Sequence, residues 1–289
     1  MAQIVSTINL KGGVGKTHTT VALAETCSAE FGKKVLVIDL DPQTNATVML
    51  IGEDRWKKLN DESQTLARLF QDAFDPDNRS FDLKSTLQTS VSDVRETRID
   101  LLPSSLDLID VQDRLASIPV GRFYTQNPTE ILERAVRPIL DEYDLVLVDC
   151  PPNLGIITLN GLRISDAYII PTIPDILSTY GIPQIVKRVN AFATELGKPI
   201  EPLGIVISKY RTQNPLHRNI SADLQNGSGR RLGTDVPAFS AIIPENTQIS
   251  MTAEFVPNGR RTLRQKYGYQ GQVDVYRCLV DELLKKLGA

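Results

Sequence analysis

The stretch LKGGVGKT, residues 10–17, stands between an apolar run, QIVSTI (3–8), and an amphipathic run, TTVALAETCSAEF (19–31). Gly12, Gly13 and Gly15 open backbone conformations that other residues avoid. A strand, a tight glycine turn and a helix in that order leave few architectures. The helix must pack back across a sheet before the next parallel strand can form.

The rest of the chain repeats the alternation. Short apolar runs follow at KVLVIDLD (34–41), RIDLLPS (98–104), DLVLVDCPP (144–152), DAYIIPT (166–172), LGIVISKY (203–210) and SAIIPEN (240–246). Their continuous apolar character is that of strands covered on both faces. Helical periodicity is expected over 127–143, 180–197 and 272–288, and Gly32 stops the first helix. Residues 51–97 and 211–235 read as less regular, the second rich in Gly, Asn and Arg. The expected fold is one doubly wound α/β domain over residues 1–289, with a mostly parallel central sheet and helices on both faces.

Charge is uneven. The formal net charge is -3, yet residues 187–289 hold 15 Lys and Arg against 9 Asp and Glu. A basic final third suggests an anionic partner, nucleic acid or anionic lipid, or simply a solvated basic surface. Cys27, Cys150 and Cys278 form no CxxC pair, so neither a disulfide framework nor a zinc site is indicated and a reducing cytoplasm is expected. No signal-peptide pattern opens the chain, and no run of 18 apolar residues suggests a membrane span.

A glycine turn before a helix points backbone N–H groups at one spot, where the helix dipole adds positive potential. That is a phosphate site. Lys16 would reach the β- and γ-phosphates of a nucleotide, and the Thr17 hydroxyl would ligate Mg²⁺. Residues 10–17 follow GxxxxGK[ST] except that Leu10 replaces the first glycine. Gly12, Gly13, Val14, Gly15, Lys16, Thr17 and His18 are the candidate cofactor contacts. Lys11 is a second lysine beside the loop. It is either a solvated charge or a further phosphate ligand, and across a two-fold axis it could touch nucleotide held by a partner subunit.

Carboxylates complete the set. Asp39 and Asp41 end the second apolar run, and alternation turns both the same way. Asp149 ends LVLVD, a Walker-B pattern, and would hold Mg²⁺ through water.

KGGVGKT, VLVIDLDPQTNAT (35–47), LLPSSLDL (101–108) and YDLVLVDCPPNLGIITLNGL (143–162) together resemble the ParA/Soj branch of the ParA/MinD deviant Walker-A ATPases, over nearly the whole chain. The resemblance implies that Lys11 is the signature lysine acting in trans, that two subunits sandwich two ATP molecules, and that Asp41 orients the attacking water. Asp39 would support the Mg²⁺ shell or the loop. Pro244 and Asn246 would flank adenine. ATP and Mg²⁺ are the implied cofactors. A homodimer, non-specific DNA and a ParB-like or other cargo adaptor are the implied partners, in a cytoplasmic, nucleoid-associated protein. Two positions depart from the family pattern: His18 stands where Thr is common, which affects the α-phosphate contact, and Asn153 replaces a common Ser.

Candidate DNA contacts are Arg211, Arg218, Arg230, Arg231, Arg260, Arg261, Arg264 and Lys266. Two alternatives use the same fold. A MinD-like membrane positioner would use the apolar stripe Val273, Tyr276, Leu279, Val280, Leu283, Leu284 and Leu287, which reads more simply as the core face of a last helix. A small-molecule synthetase would share the nucleotide motifs.

Overall fold

The computed structural model describes residues 2–74, 79–117, 127–226, 235–245, 251–257, 261–269 and 271–288. Among these, seven strands form one sheet: β1 Gln3–Thr7, β2 Lys34–Asp39, β3 Arg98–Leu102, β4 Leu145–Asp149, β5 Ala167–Thr172, β6 Glu201–Tyr210 and β7 Ala238–Pro244. Their order is β3-β2-β4-β1-β5-β6-β7, and every pairing is parallel.

Alternation along each strand builds two cores, one on each face of the sheet. Leu36, Ile38, Val146 and Val148 enter one. Val35, Val37, Leu145 and Leu147 enter the other. Both faces are therefore dry, which is why these strands read as unbroken apolar runs rather than alternating ones.

The first helix, Lys16–Phe31, starts three residues earlier than the periodicity suggested, because the glycine turn runs straight into it. Gly32 ends it at φ 66°. The stretch 51–97 is more ordered than expected, with helices at Glu53–Asp61, Leu66–Gln71 and Leu83–Thr86. A helix at Pro215–Gln225 occupies part of 211–235.

The closing helix, Gln272–Leu287, settles the stripe. Val273, Tyr276, Leu279, Val280, Leu283 and Leu284 are buried in the second core, and Leu287 packs partly against it. The stripe is a core face and offers nothing to lipid. Among the described residues, no helix is long and apolar enough to cross a membrane.

Candidate active site

β1 lies between β4 and β5, and the chain leaves its carboxyl end through the glycine loop. This is where the strand order reverses, the usual ligand position in such sheets. Gly13 (φ 74°) and Gly15 (φ 84°) are left-handed, conformations costly for a residue with a Cβ. Ser208, at the end of β6, donates through Oγ to the Val14 carbonyl at 2.6 Å and so clasps the loop to the sheet.

Lys16 is buried, and its ammonium donates to the Lys11 carbonyl at 3.3 Å. No carboxylate ion-pairs with it among the described residues. Burial holds its pKa below the ordinary lysine value, against the pull of Asp149 and Asp41. An enclosed cation without a counterion beside convergent N–H groups is suited to a polyanion.

The strand register places Asp39 beside Asp149, and Asp149 beside Thr7. Burial raises the Asp149 carboxyl to about 7, with Asp41 adding to the rise and the Thr17 hydroxyl, Lys16 and Thr20 opposing it. Thr20 Oγ1 donates to Asp149 Oδ1 at 3.2 Å. Asp149 Oδ2 is buried and has no hydrogen-bond partner. An orphaned carboxylate oxygen beside the Thr17 hydroxyl fits a hydrated divalent cation, so Thr17 and Asp149 are the residues that would hold Mg²⁺.

Asp39 is used differently. Its Oδ2 accepts from Thr47 N (2.8 Å) and Thr47 Oγ1 (2.6 Å), and its Oδ1 from Asp41 N (3.1 Å). Burial, then the neighbouring Asp149, pushes its pKa well above the usual range. Of the two roles the resemblance left open, the geometry displays the loop support. Asp41 does not end the strand; β2 stops at Asp39 and Asp41 sits in the loop that follows. Its Oδ1 accepts from Gln43 N at 2.9 Å, and its side chain lines the pocket. Burial raises its pKa too, opposed by Gln43 N–H and Lys16.

The pocket has a volume of about 460 Å³. Gly12, Gly13, Gly15, Lys16 and Thr17 line one side, and Ser208, Lys209, Pro244 and Glu245 another. Val14 is buried behind the loop. His18 is in the wall, but both ring nitrogens are engaged away from the phosphate side. Nε2 meets Tyr276 OH at 2.7 Å and Nδ1 meets Thr252 Oγ1 at 3.2 Å. Burial, then Lys266 and Lys209, lowers its pKa to about 4, so the ring is neutral. Asn153 makes a turn, its Oδ1 accepting from Gly155 N at 2.8 Å. Asn246 lies outside the described residues.

The Lys11 side chain leaves its own pocket. Its ammonium donates to Ser178 Oγ at 2.8 Å and lies 3.6 Å from Asp175 Oδ1. Asp175 caps the short helix Ile176–Thr179, accepting from Ser178 N at 2.6 Å. Sequence reasoning missed Asp175 and Ser178, and also Ser208. Each acts on a residue more than 160 positions away, a pairing that leaves no local pattern.

The candidate DNA residues separate. Lys266 is a correction: it is fully buried, donating to Glu25 Oε1 at 2.7 Å and Asp93 Oδ1 at 2.9 Å, and cannot meet a phosphate backbone. Arg261 is likewise committed inward, to Asp93 and to the Glu254 carbonyl. Arg211, Arg218 and Arg264 are exposed, Arg211 paired with Glu245. Arg230, Arg231 and Arg260 lie outside the described residues.

These features define a phosphate-loop nucleotide-binding protein. The family described as an AAA domain matches residues 2–201. The chain belongs to that family, on its ParA/Soj branch. It is 27% identical to the chromosome-partitioning ATPase Soj of Thermus thermophilus, over 98% of this chain and 96% of that one. In fold it is similar to Mycobacterium smegmatis cobyrinic acid a,c-diamide synthase with bound ADP and magnesium (TM-score 0.73, 23% identity, 100% of this chain and 96% of that one). It is also similar to a Borrelia burgdorferi putative plasmid partition protein bound to AMPPNP (TM-score 0.67, 20% identity, 99% and 100%).

Proposed function

We propose that this protein is a Mg²⁺-dependent ATP hydrolase whose ATP-bound form is a homodimer on non-specific DNA, and that it positions or segregates a cargo. A partner protein that adapts the cargo would stimulate hydrolysis and release the dimer. The observation that carries this reading is the direction of Lys11. A lysine next to a phosphate loop has its ammonium outside its own pocket, partly exposed and lightly tethered, where it can be presented to a second copy.

Beside it, Ile176, Leu177 and Tyr180 are 62%, 79% and 76% exposed. Large apolar side chains left in water next to the tethered lysine suit a face that becomes covered.

Within one site, the loop N–H groups and Lys16 bind and orient the triphosphate. Thr17 and Asp149 would hold Mg²⁺, which supplies neutralisation of charge on the phosphate oxygens. Asp41, at the pocket wall, aligns a water in line with the terminal phosphorus. As the new P–O bond forms, the bond to the β–γ bridging oxygen breaks and ADP leaves. Lys11 from the second copy balances the charge on the transferring group, as an arginine finger does. A single subunit should therefore hydrolyse ATP slowly.

The test is to size the protein with ADP and with ATP, with and without DNA, across a salt series. A dimer with ATP only, binding DNA with an affinity that falls steeply as salt rises, supports the reading. A monomer with ATP, or turnover stimulated by a metabolite rather than by DNA and a protein, overturns it.

A further inference from the structure

β2 ends at Asp39, so Asp41 lies beyond the ladder that stiffens the sheet. A residue that aligns a water for attack must be placed to a fraction of an ångström, and in a loop that placement needs support of its own. Both backbone groups of Asp41 are held. Its N–H donates to Asp39 Oδ1 at 3.1 Å. Its carbonyl accepts from Ser104 Oγ at 2.7 Å and from Thr44 N at 2.9 Å. Thr44 is left-handed, at φ 57°, so this tight turn carries strain that something outside it must hold.

Ser104 follows β3, the edge strand, and lies 63 positions from Asp41 in the chain. Each of its polar groups is engaged. Its N–H donates to Thr47 Oγ1 at 2.9 Å, and its carbonyl accepts from Trp56 Nε1 at 3.2 Å. Thr47 Oγ1 passes its own proton to Asp39 Oδ2 at 2.6 Å. Asp41, Asp39, Thr47 and Ser104 thus close a ring of hydrogen bonds. Asp39, Thr47 and Ser104 are fully buried, so water does not compete for these bonds.

The ring leaves the Asp41 carboxylate its reach. Oδ1 accepts from Gln43 N at 2.9 Å, and among the described residues Oδ2 accepts no hydrogen bond. The Asp41 side chain lines the pocket, whereas Ser104 and Thr47 do not. Whatever those two hydroxyls do for the reaction, they do through Asp41.

We propose that Ser104 is a positioning residue for ATP hydrolysis: its hydroxyl, set by Thr47, fixes the Asp41 peptide so that the carboxylate is aimed at the attacking water. This rests on the role given to Asp41 above, and on neither dimerisation nor DNA. The ring touches no phosphate. It therefore governs the rate of cleavage and leaves the affinity for nucleotide alone.

The test is ATP–Mg²⁺ turnover by the full chain, set beside titration calorimetry of ADP–Mg²⁺. Ser104→Ala leaves the Asp41 carbonyl its bond from Thr44 N, so no buried acceptor is orphaned and the chain should fold. Its kcat is expected to fall about tenfold, with KM and ADP affinity within about twofold of wild type. Thr47→Val breaks the ring at another point and should lower kcat at least as far. Thr47→Ser restores the hydroxyl and should stay within about threefold of wild type. Asp41→Ala combined with Ser104→Ala should be no slower than Asp41→Ala, because the serine has nothing left to position. Wild-type kcat in Ser104→Ala, beside a slow Asp41→Ala, would overturn the proposal alone. So would a further tenfold loss in the double variant, or an ADP affinity that falls as far as kcat. An Asp41→Ala protein that turns over like wild type would overturn the role of Asp41, and the proposal with it.

Discussion

Lys16 and Lys266 are both buried lysines, and they do opposite things. Lys266 is enclosed by two carboxylates, Glu25 and Asp93, and Tyr267 OH donates to the other Glu25 oxygen at 2.6 Å. Its charge is cancelled locally, and it ties the helix Leu263–Tyr267 to the first helix. Lys16 has only a carbonyl at 3.3 Å. Its burial costs stability that the folded chain does not recover by itself. A paired buried cation is part of the scaffold, whereas an unpaired one is a binding group. The residue type does not distinguish them; the neighbours do.

The contrast is open to direct attack. Lys266→Met leaves Glu25 and Asp93 buried without their cation, and should cost about 3–5 kcal/mol of stability. Chemical denaturation measures it, and the fraction that remains folded should bind ADP normally. Lys16→Ala should do the reverse. Nucleotide affinity falls about 100-fold, near 2.7 kcal/mol, while the thermal midpoint of the nucleotide-free protein holds or rises. Loss of stability in Lys16→Ala with intact nucleotide binding would erase the distinction.

His18 sits where the two regions meet. Its pKa falls from 6.5 to about 4 on folding. Between those values the unfolded chain binds more protons than the folded one, so this residue's contribution to stability is present above pH 6.5 and lost as pH falls towards 4. Across that window wild type should lose up to about 3 kcal/mol relative to His18→Asn, read from denaturant midpoints at paired pH values. Parallel curves for the two proteins would show that the ring is not held neutral.

The smallest effect concerns the basic surface. Arg264 is exposed while Arg261, three residues away, is paired with Asp93. Arg264→Ala should weaken DNA binding a few-fold and reduce the salt slope by about 1. Arg261→Ala should act mainly on stability. Equal effects of both on DNA binding would mean that the Arg261 pair opens when DNA arrives.

Local patterns carried the sheet and the phosphate loop into view. Strand runs such as LVLVD and the glycine turn are contiguous, and their physics is contained in ten residues or fewer. The helices within 51–97 were not legible, since four to nine residues span too few turns for a period to emerge. The basic residues misled for a different reason. Arg260, Arg261, Arg264 and Lys266 read as one cluster, yet Lys266 finds its partners 241 and 173 residues away. Counting charge along the chain gave no sign of which cations were already neutralised. The tether of Lys11 to Ser178 was hidden in the same way.

Lys11 is the third lysine of this comparison: neither neutralised in the interior nor aimed at its own nucleotide pocket, but held near the surface by Ser178 and Asp175. Its expected use is in a second copy of the chain, and sedimentation velocity tests this most directly. Asp41→Ala, slowed in hydrolysis and loaded with ATP–Mg²⁺, should sediment at twice the 32.0 kDa mass of one chain. The same protein carrying Lys11→Ala as well should stay at one chain mass. Dimers of both proteins, or of neither, would contradict a lysine that works across the subunit boundary.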